Sequence, residues 1–208
     1  MFGLTPNELR ILKRLDTPIK IQNALDAFTY NFEPEGDTCL SPRRVLEEKR
    51  AHCIEGAMLA ALALRLQGER PLLLDLTSAP HDFDHVVALY QRHGSWGAIS
   101  KTNHAVLRFR DPVYRTIREL ALSYFHEYTD DDGRKTLRSY SRPMNLARFD
   151  HLDWPTNKNN LWDIAEALND VPHYSLVTKK QISALRNADA TERRAGDIVQ
   201  WKKPRKTT

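Results

Sequence analysis

From Arg50 to Leu66 the chain reads Arg-Ala-His-Cys-Ile-Glu-Gly-Ala-Met-Leu-Ala-Ala-Leu-Ala-Leu-Arg-Leu. Beyond Cys53 its small side chains and leucines fall on every side of a helix rather than along one stripe. A helix with no polar face cannot lie on a surface. The rest of the chain must therefore be built around it, which predicts a central buried helix from about Cys53 to a C-cap at Gly68. Cys53 falls in its first turn, where the partial positive charge of the helix N-terminus favours thiolate over thiol.

The elements predicted around that helix are of both kinds. Thr5-Pro6, Thr17-Pro18 and Ser41-Pro42 each place a capping hydroxyl before a proline, and each precedes an apolar helical stripe. Three short helices are expected there, broken by a polar loop near 32–38. Pro71–Leu76 reads as a buried strand and Val86–Tyr90 as a second. His93-Gly94 is a hairpin turn that sends Trp96–Ser100 back as a third strand. Val106–Arg110 is a candidate fourth. A helix is expected over Pro112–Tyr128, a short strand near Leu137–Tyr140, irregular chain over 143–158, and helices over Leu161–Leu168 and Lys179–Arg186. The expected class is α+β: an antiparallel sheet packed on a buried, cysteine-bearing helix, with extra helices at both ends.

With 208 residues, 41% of them hydrophobic, one domain over residues 1–201 is the simplest organisation. The formal charge is +4, and Lys202, Lys203, Arg205 and Lys206 carry four positive charges between them. Residues 1–201 are thus formally neutral. The basic character belongs to a 202–208 tail, read as disordered and open only to weak contacts with nucleic acid. No apolar run reaches the roughly 20 residues that cross a bilayer, and the first residues lack a secretory pattern. A cytoplasmic, non-membrane protein is expected. Two cysteines, Cys39 and Cys53, make neither a disulfide framework nor a familiar zinc pattern.

The hairpin brings chemistry to the helix. Counting back from a two-residue turn, Arg92 pairs with Ser95 and His85 comes opposite Thr102, so Ser100 shares a face with His85 on the diagonal. Laid against the head of the helix, that face gives Cys53 as nucleophile, His85 as base, and Ser100 as the group that orients the imidazole. Asn103 serves as orienter instead if the strand ends or bulges there. Two neighbours are read as structural. Glu55 caps the helix dipole or bonds a basic residue such as Arg50. His52 is expected to point elsewhere around the helix. His81-Asp82-Phe83-Asp84-His85 offers imidazoles and carboxylates to a metal only if the segment turns, because His81 and His85 lie roughly 13 Å apart on an extended strand. A polar loop leading into the strand is the favoured reading.

Over roughly Leu46 to Asp111 these features resemble the transglutaminase-like superfamily, within the wider papain-like fold. The carriers are Cys53 opening an Ala/Leu-rich helix, the Gly68-Glu69-Arg70-Pro71 turn, the 71–76 strand, Asp84-His85-Val86-Val87-Ala88-Leu89-Tyr90 and the returning Trp96-Gly97-Ala98-Ile99. The resemblance implies a Cys53 nucleophile and a His85 base. In the family an Asp about sixteen residues later orients the base, and here Ser100 or Lys101 stands at that place, with Asn103 slightly beyond. The expected function is cysteine-dependent acyl transfer or hydrolysis at an amide or thioester of a protein or peptide, needing neither metal nor cofactor. The alternative is a non-catalytic module that binds a peptide or protein in the same cleft.

Overall fold

The computed structural model describes residues 1–203. In chain order the elements are α1 (Pro6–Arg14), α2 (Pro18–Ala27), β1 (Thr29–Tyr30), α3 (Pro42–Glu48), β2 (Arg50–Ala51), α4 (Cys53–Leu66), β3 (Leu72–Thr77), β4 (His85–Arg92), β5 (Ser95–Ser100) and β6 (Arg110–Tyr114). Then follow α5 (Ile117–Leu122), β7 (Ser139–Ser141), β8 (Met144–Asn145), a 3₁₀ helix (Leu146–Leu152), α6 (Trp162–Asp170), β9 (His173–Ser175), α7 (Lys179–Ile182) and α8 (Ala190–Gly196). The fold is α+β, with a mainly antiparallel sheet in the order β6-β5-β4-β3-β7-β9 and β8 paired to β3.

The three proline-led helices start where their caps place them. Thr5, Thr17 and Ser41 accept from the backbone N–H groups of Glu8, Lys20 and Arg44. Glu8 also takes Arg43 of α3 through both carboxylate oxygens, which ties α1 to α3. Helix α4 is buried on every side, and Ala57 to Leu64 are closed to solvent almost completely. It ends in a Schellman arrangement, with Gly68 at φ +88° and the N–H groups of Gly68 and Glu69 returning to Arg65 and Leu64. One face of the sheet (Leu73, Val86, Ala88, Tyr90, Ile99) packs on α4, which the N-terminal helices and α6 cover in turn. The other face (Leu72, Leu74, Val87, Leu89, Ala98) packs on α5 and the aromatic segment after it.

The β4–β5 hairpin has the register counted from its turn. Arg92 pairs with Ser95 and Val87 with Ser100, while His93 and Gly94 both take positive φ. Three expectations fail. The fourth strand is Arg110–Tyr114 rather than 106–110, and it takes residues assigned to the start of a helix. Pro112 suits this edge strand, where a missing N–H breaks no ladder. The helix then begins only at Ile117, fixed by a capping box between Thr116 and Glu119, and ends at Leu122. Within 143–158 a two-residue strand and a 3₁₀ helix replace irregular chain, and β9 and α8 carried no signal that was read. Lys202 and Lys203 are exposed; Arg205, Lys206 and the rest of the basic tail lie outside the described residues.

Where α4 crosses the end of β5, the side chain of Lys101 runs through the core to donate from Nζ to the carbonyls of Leu25 and Phe28, at the C-terminus of α2. That helix end is where a cation is favoured. The stem passes so close to α4 that a Cβ at Gly56 would stand 2.5 Å from the Lys101 Cβ. Gly56→Ala should therefore lose about 1–3 kcal/mol in urea unfolding despite its better helix propensity. A gain in stability would show that Lys101 has room to move.

Candidate functional site

The two-residue parallel pair β1–β2 sets Thr29 beside Arg50 and Tyr30 beside Ala51, so the chain after β1 runs past the head of α4. There Glu55, with no exposed surface, collects donors. Its carboxylate accepts from the N–H of His52 at 2.9 Å, the N–H of Leu40 at 2.9 Å, Asn31 Nδ2 at 3.0 Å and Thr38 Oγ1 at 2.7 Å. Glu55 thus caps α4, as one of its expected roles had it, and binds the 31–40 loop; Arg50 pairs with Glu48 instead.

His52 does not point away. It is the N-cap, with extended backbone (φ −99°, ψ −168°), so helical side-chain spacing does not govern it. Its ring folds back over the thiol, with Nδ1 4.0 Å from Cys53 Sγ. Its Nε2 lies 3.0 Å from the carbonyl of Thr38 and within 3.4 Å of the Glu55 and Glu33 carboxylates. All three neighbours only accept, so Nε2 carries a hydrogen. The signal that was available was positional: Cys53 begins the helix, so its neighbour is a cap.

His85 opens β4 and lines the same cleft as Cys53. Its Nε2 lies 2.8 Å from Ser100 Oγ, and Ser100 Oγ lies 2.6 Å from the carbonyl of Leu107. A hydroxyl has one hydrogen, and the Leu107 carbonyl can only accept it. His85 must then donate from Nε2 to Ser100, which leaves Nδ1 as the unprotonated nitrogen. Asn103 is engaged elsewhere: its side chain clasps the backbone N–H and C=O of Trp201 at 2.9 and 3.0 Å. Ser100 holds the ring of His85, which lines the cleft that Cys53 opens onto, and Asn103 does not join them. Asp75 holds His173 at 3.1 Å, Asp84 accepts from Ser78, and His81 pairs with Asp130. Among the described residues no three His, Cys, Asp or Glu side chains gather to hold a metal.

Burial by itself pushes the Cys53 thiol up. The His52 ring at 4.0 Å, the nearby His85 ring and the charge those rings can carry outweigh it and bring the thiol down to about 5. Burial likewise opposes charge on His52, yet the Cys53 thiolate, the Glu55 carboxylate and the Thr38 carbonyl push that ring up to about 9. Cys39, closed off in the core, is pushed up to about 12 by burial. Cys53 is half-buried and opens onto a cleft of about 930 Å³, walled by Tyr30, His85, Tyr128, the 81–84 loop and helix α8. Residues 196–201 run along 103–105 with backbone bonds Ala105 to Ile198 and Gln200 to Asn103, and so carry α8 over the cleft mouth. No protein-family model matches the sequence, and no curated protein matches it.

Two outcomes test this geometry. At pH 6 iodoacetamide should label Cys53 at least ~100-fold faster than Cys39, because each pH unit between pKa and pH is tenfold in thiolate; peptide mapping that finds equal labelling removes the activated thiol. Asn103→Ala should speed amide exchange over residues 196–201 while leaving Cys53 labelling within about twofold; a large loss of labelling would give Asn103 a part in the site.

Proposed function

We propose that this protein has a transglutaminase-like or papain-like architecture and performs cysteine-dependent acyl transfer or hydrolysis at an amide or thioester carbonyl of a protein or peptide. The observation that carries this reading is a thiol at the first position of a buried helix, in contact with the His52 imidazole and open to a cleft that the His85 imidazole also lines. Thiol and imidazole together supply a nucleophile and a proton carrier. The Cys53 N–H, at a helix start where N–H groups lack intrahelical acceptors, is aimed to receive a developing oxyanion. Ser100, anchored on the Leu107 carbonyl, keeps His85 in the tautomer whose Nδ1 can accept a proton.

The non-catalytic reading, a module that holds a peptide or protein in the same cleft, is favoured by one feature: a neutral hydroxyl, not a carboxylate, stands behind His85. The two readings part at acyl-enzyme formation. Incubation with an activated peptide thioester should add one acyl mass to Cys53 by intact-mass and peptide analysis. Cys53→Ala should take no label, His85→Ala should stop turnover, and Ser100→Ala should slow turnover roughly tenfold by leaving the His85 N–H and the Leu107 carbonyl unpaired. Peptide binding with no acyl adduct would favour the module.

A further inference from the structure

Two imidazoles flank the thiol's cleft, and they are not equivalent: His52 Nδ1 is 4.0 Å from the sulfur, and His85 lines the cleft wall. Behind His85 stands Ser100, which carries no charge. Behind His52 stand two carboxylates, Glu55 at 3.3 Å and Glu33 at 3.4 Å, with the Thr38 carbonyl between them at 3.0 Å. A carboxylate stabilises an imidazolium far more than a hydroxyl does. The charge-bearing partner that a thiolate needs is therefore the residue next to it in sequence.

We propose that His52, rather than His85, takes the Cys53 thiol proton and is the imidazolium beside which the thiolate rests, with Glu55 and Glu33 as its positioning residues. This rests on the thiol chemistry proposed above. In the resting step the S–H bond breaks, an N–H bond forms at Nδ1 of His52, and nothing is oxidised or reduced. When an amide is attacked, the sulfur–carbon bond forms and the C–N bond breaks. The departing amine takes the Nδ1 proton, leaving His52 neutral. His85, with a free Nδ1 lone pair, then accepts the proton of the water or amine that bonds to the carbonyl carbon, and the sulfur–carbon bond breaks with its electron pair returning to sulfur. That proton returns through the sulfur to His52.

The same cleft is lined by the charged side chains of Asp82, Asp84, Lys101, Arg193 and Arg194, with Lys101 Nζ turned to the Leu25 and Phe28 carbonyls. Tyr30, in β1, and Tyr128, after α5, are both held as phenols by burial. Cys39 is held as a thiol in the same way. His85, from β4, is the remaining candidate for the cation.

The test is the pH dependence of Cys53 alkylation by iodoacetamide, read by mass in the native chain and in His52→Gln, His85→Gln and Glu55→Gln. Gln at position 52 keeps a donor for the Thr38 carbonyl without a titrating ring. The expected result is a native midpoint well below that of an ordinary thiol. His52→Gln should move it upward by about 2 in pH, His85→Gln by less than about 1, and Glu55→Gln by an intermediate amount. A native midpoint that stays low in His52→Gln and rises in His85→Gln overturns the assignment. Where a variant fails to fold, the ring ¹⁵N shifts of His52 in the native chain decide: both nitrogens protonated at pH 7 support it, and a neutral ring overturns it. A low midpoint governed by His52, with no acyl adduct on Cys53, would sink the acyl-transfer reading and leave the ion pair standing.

Discussion

A carboxylate with no exposed surface sits at the head of the central helix, and much of the site is arranged to satisfy it. Bringing Glu55 out of water costs several kcal/mol, and a charge-assisted hydrogen bond returns about 1.5–3 kcal/mol. One cap bond from the N–H of His52 would not suffice. The remaining donors come from Asn31, Thr38 and Leu40, so the 31–40 loop has to fold down onto α4. That loop then carries the Thr38 carbonyl and the Glu33 carboxylate to the far side of the His52 ring. The same carboxylate therefore caps the helix, orders a loop that has almost no regular structure, and sets the electrostatics around the thiol.

Burial and charge compete at Cys53, and neighbours decide the outcome. Cys39 and Cys53 are both shielded from water, which by itself disfavours thiolate. Cys39 is bonded to the Leu161 carbonyl, and burial together with the Glu55 carboxylate outweighs the small help of the Leu161 backbone, so it stays a thiol. Cys53 has a helix N-terminus and, in His52, a ring that can donate when protonated. The low dielectric that penalises an unpaired thiolate strengthens its attraction to a paired imidazolium. Cys39, closed in the core without an imidazole, is inert, and Cys53, half-buried beside one, is activated.

What the sequence disclosed follows from how local each signal is. The proline-led caps, the all-round apolar helix, its Gly68 stop and the two-residue hairpin turn are each fixed by a few adjacent residues, and each lies where those residues put it. The hairpin register alone was enough to bring Ser100 to His85. The fold from 105 to 128 was misread because its apolar residues suit either period, and pairing along the open edge of β5 drew 110–114 into the sheet. Asn103 was legible as a polar side chain near the site, but its partner, Trp201, is 98 residues away. His52 was missed for a different reason. The spacing rule for helix interiors was applied to a residue that stands just outside the helix.

The N-terminal helices also prove to be part of the site's frame rather than an appendage to it. Strand β5 runs out at Ser100, and beyond it the β6 ladder no longer supplies partners. Gln22 of α2 fills the gap, donating from Nε2 to the Ser100 carbonyl at 2.8 Å and accepting the Ser100 N–H at 3.0 Å. Its amide does the work of a neighbouring strand's peptide group. The next residue, Lys101, reaches back to the C-terminus of the same helix. Two successive residues of β5 and its exit are thus fixed from α2, one by a neutral amide pair and one by a cation on a helix end. Ser100 has no freedom left in its backbone, so its hydroxyl meets both the Leu107 carbonyl and the His85 ring without having to be ordered when substrate arrives. A hydroxyl that carries no charge can still fix a tautomer, provided that something else holds it in place.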